Sequence, residues 1–226
     1  MEIPDSEYEE RRTIFELCKW INSKLRALEP LPDFEKLYFE RSEKNIKKLL
    51  EEAVPIAKLG LYFWGPWLDI SVRCLAGNGA YDAELIFKSE TIRIEVTCTE
   101  TDETTMRRQA LARDGVTYLM SPVRRERQQI ISEPAPMPNL YEVWTRLVEC
   151  AFERFQRKAE IEDDPQTAIL VYVSSLQFLP LQYRMKLMEQ TRMYLQTHNS
   201  TLYGVYYCYD QNQGVDGLRN TRRDLR

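Results

Sequence analysis

The segment from Ala80 to Thr97 constrains the fold of this chain more than any other. It reads Ala80-Tyr81-Asp82-Ala83-Glu84-Leu85-Ile86-Phe87, then Lys88-Ser89, then Glu90-Thr91-Ile92-Arg93-Ile94-Glu95-Val96-Thr97. Side chains alternate faces along a strand. One face therefore carries Ala83, Leu85 and Phe87 with Ile92, Ile94 and Val96. The other carries Asp82, Glu84 and Ile86 with Thr91, Arg93, Glu95 and Thr97. A two-residue loop at Lys88-Ser89 pairs Phe87 with Glu90, which sets Glu84 opposite Arg93 and Asp82 opposite Glu95. A four-residue loop with the same centre gives the same pairs. A three-residue loop sets Ala83 against Glu95 and spoils the apolar face. The hydrophobic pattern selects the even loop.

This register predicts an unusual juxtaposition. Directly opposed strand residues have Cβ atoms about 4.5–5.5 Å apart, and like charges there are destabilising. Glu84 and Arg93 compensate each other. Asp82 and Glu95 do not, and the hairpin itself offers no lysine or arginine beside them. Such a pair persists if a divalent cation shares it, if one member is protonated, or if water screens it. A Mg²⁺ or Mn²⁺ site, a solvated sheet edge and a buried polar network all stay open on these grounds.

Elsewhere the patterns alternate between helix and strand. Helices are predicted over 7–28, 43–57 with Ser42 as N-cap, 103–113, 140–160 and 180–196. Strands are predicted over 68–76, 80–87, 91–99, 116–120, 168–173 and 202–209. Gly77-Asn78-Gly79 suits a hairpin turn. Residues 62–67, Tyr-Phe-Trp-Gly-Pro-Trp, read as an aromatic loop, and 121–139, with four prolines, as a long one. The order predicts an α/β fold, a mixed central sheet with helices on both faces. Residues 1–41 would form a helical arm packed on the core, 42–210 the core itself, and 211–226 a loose basic tail.

Composition removes several function classes. The chain has 226 residues, 43% of them hydrophobic, without a run long enough to cross a membrane. Its acidic first residues do not resemble a secretory signal. Five dispersed cysteines without a CxxC fit reduced thiols and a cytoplasmic setting. His198 is the only histidine, so His-based multi-ligand zinc sites are excluded. No Walker A, GxGxxG or GxSxG sequence occurs. The net charge of −4 excludes a globally basic surface, while Arg107, Arg108, Arg113, Arg124, Arg125 and Arg127 leave room for a local phosphate-tracking patch.

An α-β-β-β-α-β run with Asp82 on its second strand and Glu95-Val96-Thr97 on its third resembles the PD-(D/E)XK, restriction-endonuclease-like nuclease superfamily. The likeness spans about residues 42–175, including the 140–160 helix with Arg157-Lys158 and the strand Ala168 to Val173. It implies an αβββαβ core in which Asp82 and Glu95 hold Mg²⁺ or Mn²⁺ for phosphodiester hydrolysis of nucleic acid. It also implies an assisting glutamate on the early helix, Glu51 or Glu52. Thr97 stands where the family has its lysine. Lys158, Arg108 or Gln109 would have to supply that function, since Lys88 lies about 20 Å of strand away from Asp82. Arg107, Arg108, Arg124 and Arg125 would hold the nucleic-acid backbone. The rival expectation is a nuclease-like module that has lost catalysis and binds nucleic acid or protein. Nucleic acid is the expected partner, a membrane is not, and self-association is left open.

Overall fold

The computed structural model describes residues 3–65, 69–76, 81–88, 90–99, 102–114, 123–126, 129–132, 139–174, 179–209 and 214–219. The first helical stretch breaks in two. Helix α1 (Asp5–Glu9) is followed by strand β1 (Arg12–Thr13) and helix α2 (Ile14–Leu28). The break lies at a capping box. Thr13 Oγ1 accepts from Glu16 N–H at 3.2 Å, and Glu16 Oε2 accepts from Thr13 N–H at 2.8 Å. A reciprocal cap fixes where a helix starts, so the continuous 7–28 helix expected from periodicity does not form.

A π-helical turn at Lys36–Glu40 precedes α3 (Lys44–Lys48), whose N-cap is Glu43 without a side-chain bond, not Ser42. The helix does not stop at 57. It passes through a second π turn, Leu49–Ala53, into α4 (Val54–Phe63). Val54 N–H reaches back five residues to Leu49 O. Pro55 follows at once, and a proline ring crowds the carbonyl four residues earlier. The widened turn accommodates it. Tyr62 and Phe63 therefore belong to the last turn of a helix and not to a loop.

Strands β2 (Ser71–Cys74), β3 (Ala83–Ile86) and β4 (Thr91–Cys98) form an antiparallel meander. The β3–β4 register is Ala83 with Ile94, Glu84 with Arg93, Leu85 with Ile92 and Ile86 with Thr91. These pairs match the even-loop reading. Helix α5 (Asp102–Asp114) comes next. Within the stretch expected to be a long loop lies a hairpin, β5 (Val123–Glu126) with β6 (Gln129–Ser132). Helix α6 (Leu140–Ala159) leads to β7 (Thr167–Val173), and α7 (Leu181–Thr197) to β8 (Gly204–Tyr209). The C-terminal stretch expected to be loose supplies β9 (Val215–Arg219), paired with β8. Asp216 of β9 receives both Nε and a terminal nitrogen of Arg184, at 2.8 and 2.6 Å. A Cβ at Gly217 would meet Tyr206 Cδ1 at 2.4 Å, so only glycine allows β9 this close. The predicted Gly77–Gly79 turn and the 116–120 strand lie outside the described residues.

The main sheet has seven strands in the order β1-β2-β3-β4-β7-β8-β9. β4, β7 and β8 run parallel, and the remaining neighbours are antiparallel. This is the expected α/β class with a mixed sheet. Every residue of β7 is buried. Ala168, Leu170 and Tyr172 join a cluster with Ile14, Ile46, Ile56 and Leu59, while Ile169, Val171 and Val173 join Val148, Phe155 and Leu187. A central strand covered on both faces needs an unbroken apolar run. Ile3, Tyr8 and Leu17 share the first cluster, so the N-terminal helices are part of one core with α3 and α4. Among the described residues, no helix is long and apolar enough to cross a membrane.

Candidate functional site

The site forms where the β3–β4 ladder ends. Asp82 directly precedes β3. Its backbone N–H donates to Ile94 O at 2.9 Å, and its carboxylate accepts from Val96 N–H at 2.8 Å. The side chain thus completes the hydrogen bonding of β4 past the last ladder pair and is fixed by it. Glu95 sits on β4 between Ile94 and Val96, with its side chain nearly buried. Across from it the last turn of α6 presents Lys158, whose Nζ contacts Glu95 Oε1. The hairpin alone lacks a cation here; the helix packed on the sheet brings one.

From the other helix, Lys48 and Glu52 pair at 2.9 Å, one turn apart. Lys48 acts electrostatically on both Glu52 and Asp82. Glu51 points elsewhere, to Arg41 at 2.7 Å. Of the two helix glutamates, Glu52 is the one in the field of Asp82. Sequence reasoning missed Lys48. Its i,i+4 spacing to Glu52 was the available signal.

All three carboxyl groups are pushed above their ordinary range. Burial raises Asp82, with the Val96 N–H, Lys48 and Lys158 opposing. Burial raises Glu95, opposed by Lys158 and reinforced by the charge of Asp82. Burial and then Asp82 push Glu52 up to about 7, against the pull of Lys48. Burial comes first in each case, so the folded site favours a proton or a cation on these oxygens.

A stability prediction arises from Glu52. Its carboxyl titrates at 4.5 in the absence of these neighbours and at about 7 in the folded chain. The folded state keeps a proton that the unfolded state has lost. Stability is complete below about 4.5 and falls as pH rises toward 7. Glu52→Gln removes this slope, worth on the order of 2 kcal/mol across the window. Loss of the Lys48 partner adds an offset that is constant there, so the change of Tm with pH between 5 and 7.5 is the measurement. A variant with the wild-type slope would refute the assignment.

The remaining predicted residues scatter. Thr97 lies half-buried two residues beyond Glu95 on the same strand face. Arg107 and Arg108 are buried, 8% and 7% exposed. Burial, and next the Arg41 charge, pull Arg108 down to about 10. The cations that bear on Asp82 are Lys48 and Lys158, not Arg108. Gln109 is on α5, half-buried. Arg124 and Arg125 fall in β5, where only the backbone is described. Glu84 and Arg93 stand opposite each other as predicted, but their ion pairs go to Arg73 at 2.7 Å and Asp164 at 3.0 Å.

The donor set suits a hard cation. Asp82 and Glu95 offer carboxylate oxygens, and among the described residues no three His, Cys, Asp or Glu side chains converge to hold a metal by themselves. Mg²⁺ commonly uses one or two carboxylates, keeps several waters and takes further oxygens from a phosphate substrate. Two buried, anchored carboxylates fit that requirement. Comparison with known proteins finds no family model, no curated protein and no solved structure that matches this chain.

Proposed function

We propose that this chain is a metal-dependent nuclease of the restriction-endonuclease-like kind, with Asp82 and Glu95 as ligands to Mg²⁺ or Mn²⁺ and Lys158 in place of the motif lysine. The observation that carries the reading is the contact of Lys158 with Glu95 beside Asp82. The meander β2-β3-β4, with β7 parallel to β4 after a crossover helix, supports it. Asp82 is immobilised by Val96 N–H and Glu95 by its strand, so the two carboxylates are preorganised. Lys158 offers an ammonium that can meet a phosphate oxygen. When bound, the divalent cation polarises the scissile phosphate and lowers the pKa of a water. Glu52 gives a protonatable group at the edge of the site.

The test is cleavage of mixed single- and double-stranded nucleic acid by the purified protein in Mn²⁺. The expected result is cleavage that stops with chelator and in Asp82→Asn. A second reading has one feature in its favour: Thr97 cannot supply the charge of the family's lysine. In that reading the chain is a degenerate nuclease-like module that binds nucleic acid or protein. Binding without cleavage across metals and substrates would select it.

A further inference from the structure

The ion pair between Lys158 and Glu95 joins unequal partners. The Glu95 side chain is 10% exposed and that of Lys158 33%. Glu95 is fixed in the middle of a strand that is paired on both sides. Lys158 sits in the last turn of α6 on a flexible four-carbon stem. Glu162 follows four residues later, its N–H bonded to Lys158 O at 2.9 Å. Its charge also bears on Glu95, so it lies in the same neighbourhood. Lys158 has the more open path to solvent, while Glu95 is held by its strand.

Charge counting gives the pair a role. The cluster holds three carboxyl groups, Glu52, Asp82 and Glu95, and two ammonium groups, Lys48 and Lys158. Lys48 is engaged by Glu52 at 2.9 Å. Lys158 is the one that touches a proposed metal ligand. An ammonium and a hard divalent cation would compete for the charge of one carboxylate, that of Glu95. Both cannot hold it fully.

We propose that Lys158 is a displaceable counter-ion: in the free protein its ammonium holds the place on Glu95 that a divalent cation takes, and it swings toward solvent when the cation enters. This rests on the reading of Asp82 and Glu95 as ligands. Once displaced, the ammonium is released to meet a phosphate, so cation entry and capture of a phosphodiester become linked steps.

Two measurements on the full chain test it. In calorimetric titration with Mn²⁺, Lys158→Met, which keeps the apolar stem, binds about tenfold more tightly than wild type, and Lys158→Arg does not bind more tightly. In the wild-type protein, acetylation of Lys158 by a water-soluble ester, read by peptide mass, rises severalfold on saturation with Mn²⁺. Equal or weaker binding by Lys158→Met, or labelling that stays flat or falls, overturns the proposal while the metal site stands. Absence of Mn²⁺ binding in every variant, or binding that Asp82→Asn leaves unchanged, removes the metal reading and this proposal with it.

Discussion

If Asp82 and Glu95 hold the cation as proposed, the expected result of Glu95→Gln is loss of phosphodiester cleavage with nucleic-acid binding retained. Glutamine keeps the size of the side chain and can still accept from Lys158, so the fold and the α6–β4 contact are retained. What is lost is the anionic charge that a hard cation requires. Losing groups that merely support a metal ligand costs about 10–100-fold, and losing a ligand itself costs more. The expected drop is therefore at least about a hundredfold in rate under Mn²⁺. Binding holds or tightens, because phosphate contacts dominate affinity and one negative charge has gone. Rates and affinities measured on the same oligonucleotide check this. Cleavage by Glu95→Gln at the wild-type rate would place the active centre elsewhere, whatever the class of enzyme.

Phe155→Ala is expected to give a large loss of stability. Phe155 is fully buried on the inner face of α6, with Phe152 at 5.9 Å and Tyr194 at 5.2 Å, the second edge-on. Its ring lies in the cluster with Ile169, Val171 and Leu187, between the sheet and the two helices on that face. Truncation of such a ring costs about 3–5 kcal/mol through lost transfer energy and the cavity left behind. For a chain of this size Tm falls by about 2–4 °C per kcal/mol, so a drop near 10 °C is expected. Urea titration should show a lower midpoint with an unchanged slope. Leu181→Ala, at a mostly exposed position of α7, is the control and stays near wild type. The loss also has a functional side. Phe155 is three residues from Lys158 on the same helix, so a loosened α6 weakens the hold on Glu95.

The sequence and the structure agree where the pattern is local and differ where tertiary contacts decide. The β3–β4 register was legible because a one-residue slip would turn Leu85, Ile92 and Ile94 out of the core. β7 was legible because a strand buried on both faces leaves an unbroken apolar run. β9 was not. Its sequence, Val-Asp-Gly-Leu-Arg, has weak strand character, and it is held by the Arg184–Asp216 pair and the close approach of Gly217 to Tyr206. The β5–β6 hairpin was hidden among prolines, which argue for loop in any local reading. At the site, Asp82 and Glu95 could be paired from the alternation of faces. For Lys48 the i,i+4 spacing to Glu52 marked an ion pair, but nothing in the hairpin signals which helix residues approach it.

The π turn at Leu49–Ala53 has a geometric consequence for the helix that contains it. Each residue of an α-helix turns the chain by about 100°, so one extra residue in a turn resets the phase of everything before it relative to everything after it. Beyond the turn, Ile56 and Leu59 aim at the core and anchor α4. Within and before it, Glu52 and Lys48 aim at the end of the sheet. Ile46 and Leu49, before and within the turn, join the same core, so the helix meets both the core and the end of the sheet. The wide turn takes up one residue more than an α turn, so the helix makes room for Pro55 without losing either the Lys48–Glu52 pair at the sheet end or the hold of Ile56 and Leu59 on the core.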